Sequence, residues 1–310
     1  MKLLVTGGAG YLGSVLVGHL LRGKHHVTVV DNLLYQVPAL YQYCPLPGFH
    51  FVRGDVRDES LMRKMLSGQD AIIQLAALVG MPACIRDPGY AQSTNYEAVA
   101  LLNRLRGQEQ WVIYPCTNSG YGAKTGDVFC TEATPLEPIS LYGRTKVDAE
   151  KLLLDSPNTV SLRLATVFGV SPRLRLDLLV NDFTYRAVKD RTIVLYEKHF
   201  KRNYIHIEDV ARAFCFVLDN FERLKGQPYN VGLSDANLSK EELALKIQHY
   251  VPQVHLHTAE FASDPDKRNY VVSNEKIERA GFAAQHSLDE GIQQLILAYH
   301  MMPSSGYVNC

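Results

Sequence analysis

Tyr142 and Lys146 stand four residues apart in the run Tyr142-Gly143-Arg144-Thr145-Lys146. In a helix that spacing puts the phenol and the ammonium on one face. A cation so close favours phenolate over phenol. The tyrosine then becomes a usable base near neutral pH. Alone, this pattern reads as an ordinary surface helix, and it gains weight from residues 114–122, Tyr-Pro-Cys-Thr-Asn-Ser-Gly-Tyr-Gly. Thr117 falls there at the carboxyl end of an apolar, strand-like run, where open parallel sheets bind their ligands. Its hydroxyl can orient a substrate hydroxyl toward Tyr142.

Residues 5–13, Val-Thr-Gly-Gly-Ala-Gly-Tyr-Leu-Gly, follow a first apolar strand and open a periodic apolar stretch reaching Leu21. Gly7, Gly10 and Gly13 allow a tight turn, close approach to a pyrophosphate and packing of helix on strand. The helix N-terminus offers unpaired N–H groups to the anion. Asp31 ends the next strand, where a carboxylate accepts hydrogen bonds from an adenosine ribose and repels a 2′-phosphate, favouring NAD over NADP. Read alone, Asp31 is a turn residue; its position relative to the glycines is what suggests the ribose. Asp55, after a third strand, suits a turn or an adenine contact equally.

The elements that must position these residues follow from periodicity. Short apolar runs at 2–6, 27–31, 50–52, 71–75, 111–115 and 160–164 alternate with helix-length amphipathic stretches. That alternation predicts an α/β protein with a Rossmann-type doubly wound parallel sheet, because each parallel connection needs a crossover helix. The rhythm breaks after Gly169. Residues 1–169 are expected to form the NAD-binding domain, with 203–230 returning to it, and 170–202 with 231–310 to form a smaller C-terminal substrate-binding lobe. Helices are expected at 239–250, capped by Asn237 or Ser239, and at 274–280 and 288–301.

Composition narrows the class further. The chain has 310 residues, 46% hydrophobic and 21% charged, with 32 basic against 32 acidic side chains. No overall positive field exists to collect nucleic acid or a membrane surface, so an anionic ligand must be held locally. The six cysteines, Cys44, Cys84, Cys116, Cys130, Cys215 and Cys310, form no CxxC pair and read as reduced thiols. His206 lies in a strand-like run with alternating apolar neighbours and reads as structural, while His25, His26, His255 and His257 lack acidic or cysteine partners at ligand spacing, so no metal is expected. The first residues resemble a buried strand rather than a signal peptide, and no apolar run is long enough to span a bilayer, so a cytoplasmic location is expected.

The glycine loop, Asp31, Thr117 and the Tyr142/Lys146 pair, in this order and spacing, resemble the extended short-chain dehydrogenase/reductases of nucleotide-sugar metabolism. The resemblance covers essentially the whole chain. It implies NAD contacts at Gly7, Gly10, Tyr11, Leu12, Gly13, Asp31, Asn32, Asp55, Val56, Leu75, Ala76, Ala77, Asn95, Tyr142 and Lys146, and catalysis by Thr117, Tyr142 and Lys146. For the nucleotide-diphosphate sugar it implies Thr117, Asn118, Ser119, Arg173, Arg175, Asn181, Arg202 and Arg268. Residues 202–209, Arg-Asn-Tyr-Ile-His-Ile-Glu-Asp, resemble the family's diphosphate-binding segment, and 264–270 fall where a second one is expected. The usual arginine ahead of that second stretch is replaced by Ser263. The 4,6-dehydratases carry an Asp-Glu pair after the threonine; Asn118 and Ser119 stand there instead, which removes the proton donor for expelling a C6 hydroxyl.

A narrower likeness, over 114–122, 168–183 and 264–274, is to the GDP-heptose 4-dehydrogenases of bacterial capsule synthesis. It implies oxidation at C4 of a sugar nucleotide, with a 4-epimerase as the alternative. A reading of another class is an NAD(H)-binding sensor or scaffold without turnover, against which the intact Thr117, Tyr142 and Lys146 argue. Helices near 88–105 and 142–154 resemble those that pair across a two-fold axis in the family, which implies a homodimer.

Overall fold

The computed structural model describes residues 1–124, 129–259 and 268–302. In chain order its strands are β1 Lys2–Thr6, β2 His26–Asp31, β3 Phe49–Arg53, β4 Ala71–Gln74, β5 Trp111–Thr117, β6 Phe129–Cys130, β7 Thr159–Leu164, β8 Thr166–Phe168, β9 Thr192–Leu195, β10 Lys201–His206, β11 Gln227–Val231, β12 Asn237–Ser239, β13 His255–Thr258 and β14 Val271–Val272. Seven of them build one parallel sheet in the order β11-β7-β5-β4-β1-β2-β3. The order reverses direction between β1 and β4, the switch point at which such sheets bind ligands.

Both faces of the sheet are covered, which is why β1, β4 and β5 read as nearly continuous apolar runs. On one face, helices Tyr11–Arg22 and Ile207–Asp219 bury Leu16, Leu20, Phe214 and Val217 against Val5, Ile73 and Ile113. On the other, Met62, Leu102, Val147 and Leu153 pack on Leu4, Ile72, Val112 and Tyr114. A third cluster, built on Phe183, Tyr204, Leu243, Ile292 and Tyr299, is the core of the C-terminal lobe.

The strand and helix expected at 203–219 exist, but the strand does not enter the large sheet. β10 runs parallel to β8 and antiparallel to β12. The reason is local: β7 takes β11 as its edge partner, and the chain bends away at Ala165, whose N–H still bonds Val231 O at 2.9 Å. What returns to the main sheet is β11 together with the packing face of helix Ile207–Asp219. Ser239 caps helix Lys240–Tyr250 through a capping box with Glu242. Asn237, the other cap candidate, instead sits in β12 and exchanges two hydrogen bonds with the Val272 backbone, at 2.8 and 3.0 Å.

Candidate active site

A cavity of about 520 Å³ opens along the carboxyl ends of the parallel strands and is walled by both the sheet and the lobe. At its base lies the glycine loop. Gly7 has a φ of +68°, and a Cβ there would meet the Ala76 backbone nitrogen at 2.6 Å. At Gly13 a Cβ would come within 2.6 Å of Gly7 O. The helix Tyr11–Arg22 starts at Gly10 with no side-chain cap, so its first-turn N–H groups keep their positive end for an anion. Asp31 closes β2 beside this loop, accepting Ala9 N–H at 2.9 Å and Leu33 N–H at 2.8 Å. Burial raises its pKa, while those two hydrogen bonds and the charge of Arg173 oppose the rise. Gly7, Gly10, Tyr11, Leu12, Gly13, Asp31, Asn32, Asp55, Val56, Leu75, Ala76 and Ala77 all line the cavity. An uncapped helix end, a floor that admits no Cβ and a ribose-height carboxylate fit NAD.

Asp55 has the turn of its first sequence reading. It lines the cavity, and it makes a tight turn in which Arg57 binds both carboxylate oxygens, at 2.9 and 2.7 Å. Asn32 donates to Tyr90 Oη at 2.9 Å, tying the loop after β2 to helix Pro88–Gln92.

Thr117 ends β5, Tyr142 and Lys146 sit in the first turns of helix Leu141–Leu154, and all three reach the cavity. Ser140 caps that helix by accepting Gly143 N–H at 3.0 Å. Its rotation on the sheet is fixed farther along, where Glu150 is locked to Arg163 of β7 by a buried ion pair at 2.9 Å. Lys146 lies with Nζ 4.0 Å from the centre of the Tyr114 ring. The electrostatics differ from the sequence expectation. Burial is the largest influence on Tyr142 and pushes its pKa up to about 12, and the cations that favour its ionised form are Arg175 and Arg268. Burial also lowers Lys146, to about 8, because the ammonium is desolvated.

The arginines separate into distinct places. Arg202, nearly buried, lies 5.6 Å from the Tyr270 ring and donates to Lys201 O at 2.9 Å. Arg268, expected at the diphosphate, touches Ser119 Oγ, which in turn accepts from Thr117 Oγ1 at 2.9 Å. It therefore stands at the same end of the cavity as Thr117. Arg175 is clamped by Asp177 through two bonds of 3.0 and 2.5 Å, against Gly80. Arg173 stacks on Tyr35 at 3.7 Å.

Three expected contacts are not on the cavity wall. Asn95 spends its amide on the Leu78 backbone, at 2.7 and 3.0 Å, and so shapes the loop after β4. Asn181 accepts from Gly169 N–H and donates to Arg175 O at 2.8 Å, holding the loop that carries the arginines. Asn118 is buried behind Thr117, with neither amide atom bonded among the described residues. Conversely Asp177, Lys240 and the segment 33–37 line the cavity without having been expected there, and Tyr270 lines it from the end of the expected second phosphate stretch. Only Asp177 carried a local signal, its place two residues after Arg175. Residues 264–267 of the expected second phosphate stretch, with Ser263, lie outside the described residues, as does Cys310. His206 is buried between Phe168 and His286 and bonds Gln294, a structural placement. Among the described residues no group of three or more His, Cys, Asp or Glu side chains could hold a metal ion, and no helix is long and apolar enough to cross a membrane.

Fold and cavity together define a Rossmann-type α/β protein with a dinucleotide cradle. The NAD dependent epimerase/dehydratase family model matches residues 3–232, and the chain belongs to that family. It is thus an NAD-using enzyme of the extended short-chain dehydrogenase/reductase type. Low-salt glycan biosynthesis protein Agl12 of Haloferax volcanii is 29% identical over 96% of this chain and 98% of its own. A Bacillus subtilis protein described as an uncharacterized UDP-glucose epimerase, YtcB, is 30% identical over 75% of this chain and 77% of its own. Among solved structures, the dTDP-glucose 4,6-dehydratase DesIV of Streptomyces venezuelae, with NAD and TYD bound, superposes with a TM-score of 0.84 at 26% identity, covering 97% of each chain.

Proposed function

We propose that the protein oxidises the C4 hydroxyl of a nucleotide-linked sugar, a GDP-heptose, for surface polysaccharide synthesis. The observation that carries this reading is one cavity in which Thr117, Tyr142 and Lys146 face the glycine loop, with Asn118 and Ser119 in place of a dehydratase's acids. Thr117 holds the sugar hydroxyl. Tyr142, as phenolate, takes its proton, and Lys146 places a positive charge beside the reacting groups. NAD, when bound, supplies the hydride acceptor. Arg202, beside Tyr270, is the diphosphate contact in this reading. The choice of GDP-heptose rests on the likeness of residues 114–122 and 168–183 to heptose 4-dehydrogenases.

A second reading, a 4-epimerase, uses the same base and lysine and differs in whether the keto sugar leaves. It is favoured by the likeness to a protein described as a UDP-glucose epimerase. The test follows reduced-nicotinamide absorbance and sugar products while GDP-, UDP-, dTDP- and CDP-sugars are added singly to NAD-loaded protein. A keto product with rising absorbance for a GDP-heptose is expected; a changed sugar with flat absorbance means epimerisation. A Tyr142→Phe variant is expected to lose roughly a hundredfold or more in kcat, and near-normal turnover would remove Tyr142 as the base.

A further inference from the structure

Arg173 belongs to the lobe by sequence, yet its surroundings belong to the cofactor cradle. It is 5% exposed and still part of the cavity wall. Its N–H donates to Ser171 Oγ at 3.3 Å, and Ser171 Oγ in turn donates to Tyr11 O at 2.7 Å and meets Ser14 Oγ at 2.9 Å. The arginine is thereby tethered to the first turn of the glycine-loop helix. Its guanidinium is flattened on Tyr35 at 3.7 Å, and Tyr35 belongs to the loop that follows Asp31. Nε is buried with no hydrogen-bond partner among the described residues.

A buried guanidinium with an unused donor is costly until an anion meets it. The nearby carboxylates are occupied: Asp31 accepts two backbone N–H groups, and Asp177 is bound by Arg175. The anion that a glycine loop and an uncapped helix end receive is a phosphate.

We propose that Arg173 binds the pyrophosphate of NAD, closing from the lobe over the glycine loop with Tyr35 as its shelf. The substrate's diphosphate then falls to Arg202, on β10. The assignment moves Arg173 from the substrate to the cofactor and does not depend on which sugar is used.

The test compares stripped wild-type protein with Arg173→Gln, Arg173→Lys and Tyr35→Ala. Affinities are measured for NAD, ADP-ribose and adenosine, and for GDP and UDP on NAD-loaded protein. Removing one charge-assisted contact should weaken NAD and ADP-ribose roughly tenfold to a hundredfold in Arg173→Gln. Adenosine, GDP and UDP should be unaffected, Arg173→Lys should recover part of the loss, and Tyr35→Ala should lose part of the NAD affinity. Should Arg173→Gln fail to fold, the lysine and Tyr35 variants carry the same comparison. Unchanged NAD and ADP-ribose affinity overturns the proposal, as does a loss confined to GDP or UDP. Failure of GDP and UDP to bind wild-type protein would undermine the sugar-nucleotide reading while leaving this one intact.

Discussion

Lys146 is 4% exposed, and desolvation holds its pKa near 8, against an ordinary 10.5. Between those values the unfolded chain binds the proton more tightly than the folded one, so this group makes stability rise with pH across that window. The penalty it imposes near neutral pH is of order 3 kcal/mol. Lys146→Met should therefore melt higher than wild type at pH 7 and show no such gain above pH 10.5, while losing activity; melting curves at both pH values check this. Asp177 neutralises Arg175, the leading cation favouring ionised Tyr142. Asp177→Asn should lower the tyrosine's pKa and move the acid limb of kcat/KM toward lower pH; a limb that stays put or moves up removes Arg175 from that role. That Thr117, Tyr142 and Lys146 would share one cavity could be read from sequence, because each sits in a short contiguous motif. Asn181 could not: its amide works between Gly169, Arg175 and Tyr11, the last of them 170 positions away.

The glycine loop was legible as an element because its requirement is steric and contiguous. Adding one methyl at Gly13 brings Cβ within 2.6 Å of both Gly7 O and Gly8 Cα, backbone atoms that cannot turn aside. Gly13→Ala should cost about 1–3 kcal/mol of stability and abolish NAD retention during purification, read by denaturation and by cofactor content. Helix ends were legible where a cap exists, as at Ser239, and the central strands β1, β4 and β5 where covered faces made them nearly continuous apolar runs. The short strands β6, β12 and β14, of two or three residues, have no periodicity to display. β10 misled because a strand-then-helix pattern does not say which sheet the strand will join.

At the scale of the molecule, the balanced charge leaves ligand capture to local groups such as those along the seam where the lobe meets the sheet. Arg173, Arg175, Arg202 and Arg268 all come from the second half of the chain, whereas the glycine loop comes from its first few residues. A fragment ending at Leu224 should therefore retain the loop but lack β11, leaving the wholly buried β7 with an open edge. Such a fragment is expected to aggregate, as light scattering would show, and addition of residues through Val231 should reduce this. The sheet order also carries a consequence for synthesis. β11 pairs with β7 although helices, β8, β9 and β10 are made between them. A nascent chain emerging from the ribosome must then hold an unfinished sheet through more than sixty further residues, and the interval in which a chaperone would be needed is written into the order of the strands.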